Sequence, residues 1–399
     1  MPLSPYRRLT PFADAAKQRG VKVHHLNIGQ PDIETPPIMM AAVQNANIRV
    51  LEYSPTAGYP SYRRKLAEYY QRVGIQVTAD DILVTSGGSE AIFFALMTCL
   101  NPGDELIVPE PFYGAYTAFA VATDVRIVPV TSYLADGFAL PPIEEFERRI
   151  TSRTKALLLC TPNNPTGYVY SRAELEQLKD LCLRHDLFML SDEAYREFCY
   201  DSEYVSAMHL SGADEHVVVL DTISKRYSAC GARIGAFVTK NKALQQAAFK
   251  FAQMRVSAPG LAQVLAEAAS ELPENYFDHT KAEYLARRDL MVSRLRAMPG
   301  VRCPVPGGAF YVMAHLPVDD CDVFCQWLLE SFTHNGQTVM LSPASGFYAT
   351  KGLGKQEVRM AYVLNCEALD LALDCLQQAL TVYPGREIAV QEAALDHSR

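Results

Sequence analysis

The chain has 399 residues, 49% hydrophobic and 21% charged, with a formal net charge of −8 at pH 7. That length exceeds a single hydrophobic core and predicts two or three domains, with enough apolar side chain for a large interior. The negative balance argues against nucleic acid or an anionic membrane as partner, no apolar stretch approaches the roughly 20 residues of a membrane span, and Arg7, Arg8, Asp14, Lys17 and Arg19 leave no secretory apolar core near the start.

From about 80 to 240, short β-rich runs alternate with amphipathic stretches. Ile82-Leu83-Val84 leads into Gly87-Gly88-Ser89 and an apolar helical run from Glu90. Strands follow over 106–108, 125–130 and 156–160. Ser171, with Glu174 three residues on, marks the N-cap of a helix over 171–185. Strands over 187–190, 217–220 and 234–238 complete the set. Continuous apolar strands separated by helices imply a mainly parallel sheet covered on both faces. Residues 261–298 read as one long helical stretch, with Arg287, Arg288 and Asp289 on its polar side. Beyond Pro304 the pattern returns to strands and helices over 309–314, 323–332 and 358–362. The fold class is α/β: a large domain over 46–284 holds a mainly parallel seven-stranded sheet between helices, and 1–45 with 285–399 form a smaller α+β domain. The polar tail from Pro384 carries no assigned role.

Ten cysteines are present without a CxxC, most of them in apolar runs, as expected of a reduced, cytoplasmic chain. Cys321 and Cys325 can share a helix face, but no His/Cys cluster surrounds them and no metal site is expected.

In a sheet of this kind ligands bind where strands end. Asp221-Thr222-Ile223-Ser224-Lys225 follows one strand, and Gly231-Ala232-Arg233-Ile234-Gly235 comes shortly after. A lysine amine flanked by small hydroxyls suits a phosphorylated aldehyde. The amine attacks the carbonyl, Arg233 grips the phosphate bidentately, and Thr222 and Ser224 donate to it. Gly87-Gly88-Ser89 offers bare N–H groups at a helix N-terminus to the same phosphate, although glycines at such turns are often only turn formers. In Ser191-Asp192-Glu193-Ala194-Tyr195, Asp192 can pair with a protonated pyridine nitrogen and keep the ring an electron sink; its plainer role is a helix N-cap. Tyr195 can bond the ring hydroxylate. Thr161-Pro162-Asn163-Asn164-Pro165-Thr166-Gly167 is a turn-rich loop in which Asn164 can serve both ring oxygen and substrate carboxylate. Tyr113, in Pro111-Phe112-Tyr113, can stack on the ring or pack as a core aromatic. Arg359, in a late strand, can clamp an α-carboxylate or make a surface salt bridge.

In order and spacing these motifs resemble the class I/II aminotransferase family, which shares the pyridoxal-phosphate (PLP) fold type I of aspartate aminotransferase. The resemblance runs from Asn27-Ile28-Gly29-Gln30-Pro31-Asp32 to Val358-Arg359 and is strongest in Ser224-Lys225 paired with Gly231-x-Arg233-Ile234-Gly235. It implies pyridoxal 5'-phosphate as cofactor, carried by Lys225 as a Schiff base, with Lys225 moving the proton at the substrate Cα. Asp192 would face the pyridine nitrogen, and Asn164 and Tyr195 the ring oxygen. Gly88, Ser89, Thr222, Ser224 and Arg233 would hold phosphate, and Tyr113 would stack on the ring. Asn164, Arg359 and the Gly29 backbone would bind substrate. Tyr53, in Tyr53-Ser54-Pro55-x-x-Gly58, resembles the tyrosine that reaches the neighbouring subunit's phosphate, so a homodimer with shared active sites is implied.

The implied reaction is a ping-pong transfer between an L-amino acid and a 2-oxo acid, aspartate aminotransferase-like with 2-oxoglutarate. Two departures bear on substrate. Ser89 stands where some bacterial aspartate enzymes carry a lysine, and Ala232 where a tryptophan is frequent. Ile28, Tyr53, Tyr113, Phe310 and Tyr348 form the candidate specificity shell, whose aromatic content also suits an aromatic substrate. An alanine-type aminotransferase, a C–S lyase or a cyclopropane-forming synthase on the same fold are the alternatives. A PLP-binding regulatory module would need an added DNA-binding domain, and no spare segment is expected here to supply one.

Overall fold

The structure is a computed structural model that describes residues 7–387. Residues 1–6 and 388–399, which hold part of the N-terminal segment and of the polar tail, lie outside it. The seven expected strands form one sheet in the order Ile82–Thr85, Gly235–Val238, Val217–Thr222, Phe188–Asp192, Thr154–Cys160, Glu105–Glu110, Arg126–Thr131. Only Gly235–Val238 runs against its neighbours; the other pairings are parallel.

The central strands are buried on both faces, which is why they read as unbroken apolar runs rather than alternating ones. Period-two geometry divides each between two layers. Ala156 and Leu158 pack with Ile92, Phe94 and Ala248, while Leu157 and Leu159 pack with Leu66, Leu175 and Leu178 on the opposite face. Each fully buried leucine contributes about 1.5–3 kcal/mol. The helix Arg172–Arg184 begins as its sequence predicts: Ser171 accepts from the Glu174 N–H, and Glu174 accepts from the Ser171 N–H at 2.7 Å.

The long helical stretch expected over 261–298 is broken. Gly260–Ala268 passes through a 3₁₀ turn, Ala269–Glu271, and the helix resumes only at Tyr276–Arg296. Pro273, in the gap, lacks the N–H that continuation needs.

A second core joins the start of the chain to its last third. Leu9, Ala13 and Leu26 pack with residues from Met291 to Tyr383. Lys22–His25 pairs in parallel with Gln337–Met340, and Glu357–Ala361 pairs antiparallel with Tyr311–His315 on one side and Ser342–Pro343 on the other. Met39 packs in the large sheet's core instead. Cys321 and Cys325 share the helix Cys321–Glu330 and are both buried. Among the described residues no helix is long and apolar enough to cross a membrane.

Candidate active site

Three adjacent parallel strands end side by side at Cys160, Asp192 and Thr222, and a cleft of about 250 Å³ opens above them. Every residue assigned above to cofactor or substrate lines this cleft except Tyr53. Tyr53 is 84% exposed and lies among other exposed apolar side chains, including Val50 and Leu51. Two further members of the expected specificity shell also lie elsewhere. Phe310 is fully buried against Tyr195, Phe198 and Tyr284, and the Tyr348 hydroxyl donates to Glu357 at 2.6 Å.

Lys225 leaves the strand end half-buried, and its amine donates to the Gly29 carbonyl at 2.7 Å. Cys230 Sγ lies 3.7 Å from the same nitrogen. Gly29 can carry no side chain, because a Cβ there would fall 1.7 Å from the Tyr311 hydroxyl.

One end of the cleft is built for an anion. Gly87 (φ +79°) turns the chain into the helix Gly88–Cys99, whose first N–H groups lack intrahelical partners. The Arg233 guanidinium lies across this turn; a Cβ on Gly87 would sit 2.4 Å from its Nη2. Arg233 itself adopts the left-handed region (φ +56°), a cost of about 1–2 kcal/mol for a non-glycine residue. That cost is in keeping with a functional position. Thr222 and Ser224 present hydroxyls 2.8 Å apart beside it.

Asp192 lies on the cleft floor. The Tyr116 hydroxyl donates to it at 2.7 Å and the Ala194 N–H at 3.2 Å, both neutral donors. Burial is the main cause that raises its carboxyl to about 6, with the two hydrogen bonds pulling the other way. Its buried neighbours differ. Glu193 is paired with Arg196 at 2.9 Å, and Asp221 with Arg226 at 2.8 Å, which helps hold the Asp221 carboxyl below the usual carboxylate range against its burial. Of these three carboxylates, only Asp192 faces the cleft and has no cationic partner among the described residues.

At the other end Arg359 is buried. It donates to Asn164 Oδ1 at 3.0 Å and to the Asn27 carbonyl at 2.6 Å, with the rings of Tyr311 and Phe347 centred 4.6 and 4.8 Å from its guanidinium. The Asn164 amide donates to the Tyr195 hydroxyl at 3.4 Å, and that hydroxyl meets Tyr311 at 2.8 Å. Tyr113 makes an edge contact with Tyr116 at the cleft wall.

Sequence reading missed Asn27, Ile92, Cys160, Ala194, Cys230 and Tyr311, all of which line the cleft. Asn27 and Ala194 fall inside motifs already singled out and Cys230 directly precedes one, so nearness to them was the available signal. Tyr311 lies beside Phe310, and the strand register decides between them. Arg359 pairs with Met313, so Tyr311, two residues away, shares the arginine's face while Phe310 points into the core.

A model of the family "aminotransferase class I and II" matches residues 21–388. An arginine–pyruvate transaminase of Pseudomonas aeruginosa is 33% identical over 359 residues, 89% of each chain. An aspartate/prephenate aminotransferase of Thermus thermophilus is 32% identical, over 91% of this chain and 92% of its own. The solved Thermus thermophilus aspartate aminotransferase with maleate superposes with a TM-score of 0.87 at 31% identity, covering 95% of this chain and 97% of that one.

Proposed function

The chain belongs to the class I and II aminotransferase family, and we propose that it is an aspartate-type enzyme that moves the amino group of an L-amino acid to 2-oxoglutarate in two half-reactions. The observation that carries this reading is Asp192, a buried carboxylate of raised proton affinity that faces a shared cleft without a cation.

Pyridoxal 5'-phosphate, the cofactor of this family, fits the donor set: an anion for the cradle at Gly87, a basic ring nitrogen for Asp192, an aldehyde for the Lys225 amine. When bound, it supplies the electron sink that spreads negative charge away from the substrate Cα. Asp192 would face the ring nitrogen and keep it protonated. Gly88, Ser89, Thr222, Ser224 and Arg233 would hold the phosphate, Asn164 and Tyr195 the ring oxygen, and Tyr113 would lie against the ring. Lys225 would hold the aldehyde end, and its Nζ would take the proton from the substrate Cα and return it. Arg359 and Asn164 grip the α-carboxylate, and the Gly29 backbone lies alongside.

A half-reaction screen tests substrate choice: each amino acid is added to the loaded enzyme and the cofactor's conversion to its amine form is followed by absorbance. Aspartate and glutamate should convert it, and 2-oxoglutarate should convert it back. One observation favours a second reading. The cleft's basic side chains are Lys225, Arg233 and Arg359, all three with assigned tasks, and Ser89 offers no charge to a substrate side-chain carboxylate. Conversion by aromatic donors and not by aspartate would transfer the assignment to that class. Pyruvate and ammonia released without an oxo-acid acceptor would make the enzyme a lyase.

We further propose a cytoplasmic homodimer. Val50, Leu51 and Met254 are 70%, 63% and 81% exposed, an apolar surface that a second copy would cover while bringing Tyr53 to its neighbour's phosphate. The ten cysteines are all free thiols, in keeping with a reducing compartment. Sedimentation should give twice the mass of one chain, and Tyr53→Phe should loosen cofactor retention; a monomer with full activity would refute the shared site.

A further inference from the structure

Glu110 ends the strand Glu105–Glu110 fully buried, and no arginine or lysine pairs with it among the described residues. Its carboxylate is held by neutral donors from two parts of the chain. The Thr131 hydroxyl, on the neighbouring strand, donates to Oε1 at 2.7 Å. The N–H groups of Ala349 and Thr350 donate to Oε2 at 2.7 and 3.1 Å, from the loop that follows the turn Ala344–Phe347. A charge taken out of water without a counter-ion persists only where several donors converge on it.

The seam continues along the main chain. The Phe112 N–H donates to the Phe347 carbonyl at 2.9 Å, and a Cβ on Gly114 would come within 2.9 Å of the Gly346 carbonyl. On its other side the same loop carries Phe347, whose ring lies against the Arg359 guanidinium. It also carries Tyr348, bonded to Glu357 at the start of the strand that bears Arg359. The large sheet's end is thereby fastened to the loop, and the loop to the arginine.

We propose that Glu110 is a positioning residue that seats the Arg359 clamp over the cleft. This rests on the reading of Arg359 as the α-carboxylate site. Glu110 touches neither substrate nor cofactor; it fixes the loop whose phenylalanine sets the guanidinium's place. Both half-reactions use that clamp, so loss of Glu110 weakens amino acid and oxo acid alike.

The test is steady-state kinetics of Glu110→Ala and Glu110→Gln in the cofactor-loaded enzyme. Glu110→Ala should raise KM for both substrates by about tenfold, the scale of a lost charge-assisted hydrogen bond, with kcat changed less than about threefold. Glu110→Gln, which keeps an acceptor for the two N–H groups, should stay within about threefold of the parent. Cofactor affinity and half-reaction rates with an amine lacking the carboxylate should be unaffected in both. If Glu110→Ala does not fold, Thr131→Val removes one donor alone and should raise both KM values by a smaller common factor. Unchanged KM values, or equal losses with the carboxylate-free amine, overturn the proposal. Arg359→Lys distinguishes the two readings: if it too leaves carboxylate KM values unchanged, the assignment of Arg359 fails; if it raises them and Glu110→Ala does not, only the role of Glu110 fails.

Discussion

Lys225→Ala should lower turnover by about 10⁴-fold or more while leaving the fold in place. The two halves of that expectation have different causes. The Lys225 amine donates to one carbonyl, that of Gly29, so its removal unpairs one acceptor at a cost of about 1 kcal/mol. A melting temperature close to the parent's should follow. Under the proposed mechanism, turnover depends on the same nitrogen twice, as covalent anchor and as the base that lifts the Cα proton. No other lysine lines the cleft, and the Cys230 thiol beside it hangs on its own hydrogen bond to the Ser224 carbonyl. Lys225→Arg should fail nearly as badly, because a guanidinium stays protonated and cannot act as base. The check is the single-turnover rate of amino-acid conversion, measured with cofactor present in excess. A variant within tenfold of the parent rate would remove Lys225 from proton transfer.

How much of this site could be read from sequence follows from how its residues are joined. Lys225, Arg233, Asp192 and Gly88 sit at strand ends, where short local signals (an apolar run, then a glycine, hydroxyl or charge) place a side chain without knowledge of the rest of the fold. The capping box at Ser171 and Glu174 is legible for the same reason, since both halves lie three residues apart. Tyr311 was not legible because its parity depends on pairing with a strand some 50 residues on, and a shift of one residue exchanges it with Phe310. Tyr116 and Glu110 were invisible likewise: their partners, Asp192 and Ala349, are 76 and 239 residues distant. The long helix over 261–298 failed locally, where Pro273 outweighed an apolar pattern that continued across it. Substrate choice was least legible of all, since it turns on which side chains, brought from distant parts of the chain, face one cleft.

Asp192→Asn should separate function from stability and move them in opposite directions. If Asp192 has its proposed role, asparagine keeps the shape but cannot hold a proton on the pyridine nitrogen, so turnover should fall by about 10²–10³-fold or more. In protein stripped of cofactor the same change should be neutral or stabilising at pH 7.5. Burial raises the folded carboxyl to about 6, so the folded state binds this proton more tightly than the unfolded chain does. The stability that comes with the bound proton is fully present below the unfolded value near 4 and is lost as pH rises through about 6. Above that, the wild-type fold carries an ionised, unpaired carboxylate at a cost of about 3 kcal/mol, which asparagine does not incur. Melting temperatures of the stripped proteins should therefore favour the variant at pH 7.5 and converge toward pH 4, where other carboxylates titrate alike in both and cancel. Loading the cofactor should reverse the order at pH 7.5, because a ring cation then answers the charge in the wild type alone. If the stripped variant is the less stable at neutral pH and loading changes nothing, Asp192 is a structural carboxylate, and the electron sink must be held by another group.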